Sequence, residues 1–229
     1  MTTLSELDEP ANVTPASEQI ADTLRQRILE GLLPPGTRLR DGALANEFSV
    51  ARHTLRAALQ RLEIENLLVY KMHKGAEVRT LTVDDVHEIY RVRRALELAA
   101  IDNSSAASNS DLLALEAALS NAEAAVENEE WKQAGTASLK FHQAIVGLFG
   151  SEMMDSFFRG VLTNLRLAFA VMDDEELWQT PWIPRDREVF ELLIKGSREN
   201  AKALVHQYLN DSEQQVVDAV RANEMRDRG

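Results

Sequence analysis

Residues 44–78 read LANEFSVARHTLRAALQRLEIENLLVYKMHKGAEV. Leu44, Ala45 and Phe48 form the apolar side of a short helix, and Ser49-Val50 supply a tight turn. A second helix starts at Ala51 or Arg52 with the inward stripe Leu55, Ala58, Leu59 and Leu62. At about 100° per residue, His53, Arg56 and Gln60 point the other way. Arg52 falls in the first turn, at the positive end of the helix dipole, where phosphates bind readily. Asn66 suits the left-handed position that stops a helix. Leu67 to Lys71 and Ala76 to Thr80 read as two short strands around the tip Met72-His73-Lys74-Gly75, with Gly75 free to take a positive φ. Taken singly, these parts are a solvated helix face and an ordinary hairpin. In this order they are the pattern of a winged helix-turn-helix, which lays one helix in a DNA groove and a basic hairpin against the backbone or minor groove.

Upstream, residues 1–16 hold two prolines and three acids and read as a mobile arm. Ser17 is a candidate N-cap for a helix whose stripe is Ile20, Leu24, Ile28 and Leu32, ended by Gly31 and Pro34-Pro35-Gly36. Thr37 to Arg40 is extended, and Asp41 can cap the next helix. Expected boundaries are therefore 1–16 for the arm, 17–80 for the DNA-binding domain and 81–229 for a second domain.

Charge supports that division. The 229 residues carry a net charge of −12, which alone argues against a nucleic-acid partner. Residues 17–80, however, hold ten Lys/Arg against eight Asp/Glu, whereas 81–229 hold 15 against 26. Phosphate contact is confined by repulsion to the first 80 residues. Cysteine is absent, which excludes disulfides and fits a reducing cytoplasm. No apolar run approaches the ~20 residues that span a membrane, and the N-terminus lacks the features of a signal peptide.

From Thr82 helices dominate. Thr82 with Asp85 resembles a capping box. Helices are expected to about Ala107 (Val86, Ile89, Leu96, Ala100), from Asn109 or Ser110 (Leu112, Leu115, Leu119, Val126), from Glu130 to Phe149, from Glu152 to Met172 (Met154, Phe158, Val161, Leu165, Phe169), to Lys195, and from Ser197 to Asp227. Residues 173–184, acidic, aromatic and proline-broken, read as a loop. The fold class is mainly α: a winged helix-turn-helix with a small two-stranded wing, then an all-α antiparallel bundle. His142 shares an apolar face with Ile145 and Val146, and on spacing alone it is either a satisfied core residue or a pocket residue. Arg93 breaks the apolar face of its helix, and Glu97 can pair with it. Tyr208 lies in an inward stripe, His206 opposite it. Arg166 sits at the edge of an apolar arc, as a surface charge or an anion clamp.

The phrases ILEGLLPPGTRL, LANEFSVARHTLRAALQRLE and NLLVYKMHKGAEV resemble the DNA-binding domain of the GntR family of bacterial transcription regulators. That resemblance implies that Arg52, Thr54 and Arg56 contact phosphate or bases and that His73, Lys74 and Gly75 form a minor-groove wing; Arg40 and His53 complete the expected DNA-binding set. There are departures: Ser49 stands where glycine is usual, Ala51 where Ser or Thr is usual, and His53 where Thr is commoner. They leave the fold expectation intact and the operator sequence open.

IYRVRRALELAA, KFHQAIVGLFG and KGSRENAKALVHQYL resemble the all-helical FCD-type effector domain of the FadR subgroup. Many such domains hold a divalent metal through an acid and three histidines. Here the corresponding positions are Ser138, His142, Asp186 and Tyr208, and only His142 and Asp186 are good ligands. The expectation is no metal cofactor and a pocket lined by Arg93, Ser138, His142, Arg166, Asp186 and Tyr208, suited to a small polar or carboxylate effector. The reading is a homodimeric, cytoplasmic, ligand-responsive regulator, a repressor in the first instance, that binds a palindromic double-stranded DNA operator and no membrane. The alternatives are a helical metal-dependent enzyme with an accessory winged domain, poorly supported without HExxH or a phosphate-cradling loop, and a protein-binding winged module.

Overall fold

The computed structural model describes residues 14–71, 75–170, 172 and 174–227. The first 13 residues of the expected arm lie outside them, and α1 (Ala16–Leu29) opens one residue before its expected cap. Ser17 does not cap it: Pro15 holds that position, with no side-chain hydrogen bond. Ile20, Leu24 and Ile28 are buried as the stripe requires, but Leu32 is exposed, because the helix has already ended. Gly31 adopts φ +73°, and the Gly31 and Leu32 amides donate back to the Ile28 and Arg27 carbonyls, a Schellman turn.

The N-terminal half continues with β1 (Arg38–Leu39), α2 (Asp41–Glu47), α3 (Arg52–Ile64), β2 (Leu68–Lys71) and β3 (Gly75–Val78). The sheet has three antiparallel strands in the order β1-β3-β2, not two. Two residues, Arg38 and Leu39, pair with Glu77 and Ala76. So short a strand has no periodicity by which to be recognised. Asp41 does not cap α2, whose N-cap is Arg40. Its carboxylate accepts instead from Arg56 Nε at 3.1 Å. Leu55, Ala58, Leu59 and Leu62 are fully buried, and just past the end of α3 Asn66 takes φ +58°.

The bundle comprises α4 (Val83–Asn103), a 3-10 turn at Ser104–Ala106, α5 (Asn109–Glu127), α6 (Trp131–Gly147), α7 (Glu152–Phe169), α8 (Glu175–Gln179), α9 (Ile183–Ile194) and α10 (Arg198–Asp227). The Thr82/Asp85 capping box is present, and Ser108 with Asp111 makes a second one at α5. The expected loop at 173–184 contains α8, capped by Asp174, and the start of α9 with proline in its first turn. Proline there begins a helix instead of breaking one. Met154 is exposed, not inward. One continuous set of buried apolar residues runs from Ile20 to Val220, so the two halves share a core. Among the described residues no helix is long and apolar enough to cross a membrane.

Candidate functional site

Two places carry unusual chemistry. The first is the ridge beside α3. Its turn is set by Ser49, a non-glycine residue at φ +54°. Ala51 is the N-cap and supplies no side-chain hydrogen bond to the first amides of the helix, an arrangement open to an anion. Arg40, Arg52, His53 and Arg56 are exposed around this end, Thr54 is half-buried, and Gly75 is exposed at the end of β3 with φ +78°. His73 and Lys74 lie outside the described residues. Tyr70, which sequence reasoning passed over, is exposed on β2. Burial, then the charges of Asp41 and Glu63, push its hydroxyl pKa upward. Arg38 and Lys71 flank Glu77 at 4.0 and 2.5 Å, so the cations of the hairpin are partly neutralised locally.

The second place is inside the bundle. Glu97, fully buried on α4, accepts from Arg93 Nε at 2.8 Å and pairs with His142 Nδ1 at 2.6 Å. Asp186, buried in the first turn of α9, accepts from Ser138 Oγ at 2.7 Å. Ser138 stands 3.5 Å from the Tyr208 hydroxyl. Tyr90 and Ser212 close one side through a 2.6 Å hydrogen bond. Sequence reasoning brought five of its six pocket residues together and left Glu97 as Arg93's partner only. The contact with His142 spans 45 residues and no local pattern carries it.

Arg166 is the correction. It is buried, but at the junction with α1, where its Nε lies 3.4 Å from Thr136 Oγ1 and its Nη2 would come within 3.0 Å of a Cβ at Gly31. Burial rules out the surface charge, and α7 carries Arg166 to the junction with α1, away from the other five residues of the expected pocket.

Among the described residues, the buried Arg93 Nη2, His142 Nε2 and Asp186 Oδ1 of the bundle site have no hydrogen-bond partner. His142 Nε2 and Asp186 Oδ1 face each other at 3.6 Å. Arg93 and His142 line a cavity of about 20 Å³, roofed by Phe169, Trp178, Gln179 and Trp182, room for about one water. The roof sits close because α6 has a glycine beneath it: a Cβ at Gly135 would lie 2.7 Å from Gln179 Nε2.

The protonation states are set by burial and by neighbouring charge. Burial pushes Glu97 up, but Arg93 and then His142 outweigh it and hold the carboxylate below its ordinary range. For Asp186 burial dominates and the carboxyl rises from 3.8 to about 6. Burial, then Asp186, holds Tyr208 well above its ordinary value, hence neutral. Between pH 4 and 6 the folded state alone keeps the Asp186 proton, so its contribution to stability falls as pH rises, by ~3 kcal/mol in total. Relative to wild type, Asp186→Asn should gain melting temperature progressively from pH 4 to 7. A constant offset across that range would contradict the assignment.

The donor set does not fit a divalent metal. Serine and a neutral tyrosine occupy two of the four positions, and among the described residues no group of three His, Cys, Asp or Glu is placed to hold an ion.

Residues 16–78 match the family described as bacterial regulatory proteins, gntR family, and residues 88–211 match the FCD domain. The crystal structure of a putative transcriptional regulator GntR from Rhodococcus sp. RHA1 is 32% identical with a TM-score of 0.83, over 90% of this chain and 99% of that one. The HTH-type transcriptional regulator YdhC of Bacillus subtilis is 28% identical over 89% of this chain and 91% of its own. The gluconate operon transcriptional repressor of Bacillus licheniformis is 26% identical over 92% and 89%. These relatives are regulators, not enzymes, and the metal-dependent enzyme reading falls with them.

Proposed function

We propose that this chain, which belongs to the GntR family of bacterial regulatory proteins and carries an FCD domain, binds a palindromic operator as a homodimer and represses until a small metabolite enters its bundle. The observation that carries the reading is α3: four fully buried apolar residues on one face, and Arg52, His53 and Arg56 exposed on the other beside an uncapped N-terminus. That is the disposition of a groove-reading helix, and the charge balance leaves the acidic bundle away from phosphate. The names of relatives such as the gluconate operon repressor favour repression. A twofold operator follows from a twofold protein. The exposed Met153 and Phe157, four residues apart on α7, supply apolar surface of the kind that partners cover. Cytoplasmic residence follows from this role.

Arg93 Nη2 is the natural anchor for a carboxylate effector, with Ser138, His142, Asp186 and Tyr208 completing the polar lining. A cavity that holds about one water admits such a guest only if the surrounding helices shift. A ligand that binds one arrangement better than another moves the population between them. The test is a fluorescence-anisotropy titration of labelled duplexes across salt concentrations. Phosphate contact gives a steep loss of affinity with salt, with a log–log slope of about −0.9 per phosphate neutralised. A protein that fails to bind duplex at low salt is not a DNA-reading regulator.

A further inference from the structure

The sequence places effector chemistry and DNA chemistry in separate domains, but the two are joined by hydrogen bonds, one buried and one part-buried, from side chains of α6 and α7 to the C-terminal ends of α1 and α3. The Schellman turn of α1 occupies the Arg27 and Ile28 carbonyls. The next carbonyl, that of Leu29, lies 3.1 Å from the buried Thr136 Oγ1 of α6, a hydroxyl that also reaches its own Lys132 carbonyl at 3.0 Å. At the end of α3, the Glu65 carbonyl accepts from Asn164 Nδ2 of α7 at 2.9 Å. Glu65 is held from the other side by Arg25, through bonds of 2.8 and 2.6 Å. Arg166 packs against Gly31 and Thr136.

The same two helices line the effector cavity. Thr136 is two residues before Ser138 on α6, and Asn164 precedes Phe169, part of the roof, on α7. Helices packed to crystal-like density move as units. A displacement of α6 or α7 at the cavity therefore reaches the last turns of α1 and α3 without passing through a flexible linker.

We propose that Thr136 and Asn164 are positioning residues that couple the bundle cavity to the DNA-reading helix α3 through the Leu29 and Glu65 carbonyls. The coupling is reciprocal by thermodynamic necessity: whatever the cavity does to α3, duplex bound to α3 does to the cavity. This permits a test without knowing the effector. All three tryptophans, Trp131, Trp178 and Trp182, lie outside the DNA-reading half, and the last two roof the cavity. With Trp131→Phe as background, tryptophan emission reports the cavity alone.

The probe is a duplex selected by the wild-type protein from a random-sequence pool. Its binding is followed separately by anisotropy of a label on the DNA. On the Trp131→Phe background, saturation with duplex should shift the emission of Trp178 and Trp182. The Thr136→Val/Asn164→Ala pair should bind duplex with the emission unmoved, and Thr136→Ser, which keeps the hydroxyl, should retain the shift. Each single substitution is read in the same assay, so the test stands even if the pair unfolds. Duplex binding with silent tryptophans in the Trp131→Phe protein, or an equal shift in every variant, would overturn the coupling. The inference rests on the regulator reading, and absence of duplex binding by wild type would sink that reading instead.

Discussion

Arg52→Ala and Arg56→Ala should each weaken operator binding by about 5- to 150-fold, the equivalent of about 1–3 kcal/mol for a lost base contact. Both side chains are exposed at the start of α3. Neither contributes to the Leu55–Leu62 stripe that folds the domain, so melting temperature should hardly move. They are not equivalent. Arg56 is already engaged by Asp41 at 3.1 Å while 64% of its side chain remains exposed. Its binding to DNA exchanges one partner for another, whereas Arg52 carries no such debt in the described contacts. If Arg52 contacts phosphate alone, Arg52→Ala weakens all duplexes alike and reduces the magnitude of the salt slope by about 1. If it reads a base, discrimination relaxes at one position of each half-site. Affinity equal to wild type in an anisotropy titration would remove the assigned role.

The largest loss of stability is expected inside the bundle, from Glu97→Ala. Glu97 is fully buried and is the bonded partner of two basic side chains, Arg93 and His142. Removing it strands a buried guanidinium, which costs about 3–5 kcal/mol. For a chain of this size that is roughly 6–20 °C of melting temperature. Because the damage comes from the stranded charge, Arg93→Met/Glu97→Met should lose less than Glu97→Ala alone, although it removes more atoms. Thermal melts followed by circular dichroism distinguish the two. A larger loss in the double variant would mean that packing, not charge, is what Glu97 supplies.

What the sequence made legible was whatever repeats locally. The stripe of α3, that of α1 apart from Leu32, the turn at Ser49-Val50, the helix stop at Asn66 and the Thr82/Asp85 box are each encoded within a few residues and each is present. β1 falls within the segment 37–40 read as extended, but its pairing with β3 is not legible, because two residues carry no periodicity. The loop expected at 173–184 hid α8, whose position depends on the space above Gly135, a tertiary fact. In the bundle, Arg93, Ser138, His142, Asp186 and Tyr208 lie together, while Arg166 stands apart from them. An arginine at the margin of an apolar arc can be drawn into any junction its helix meets, and α7 meets α1. The contacts that join the halves, from Thr136 to Leu29 and from Asn164 to Glu65, span 107 and 99 residues and leave no sequence signature.

The most direct measurement is selection of duplexes from a random-sequence pool, followed by sequencing of what the protein retains. Wild type should enrich an inverted repeat with half-sites about one helical turn apart, and the Arg52→Ala/Arg56→Ala protein, folded to the same degree, should enrich nothing. A wild-type pool that stays unenriched, or the same repeat recovered by the double variant, would contradict the claim that the exposed ridge of α3 reads DNA.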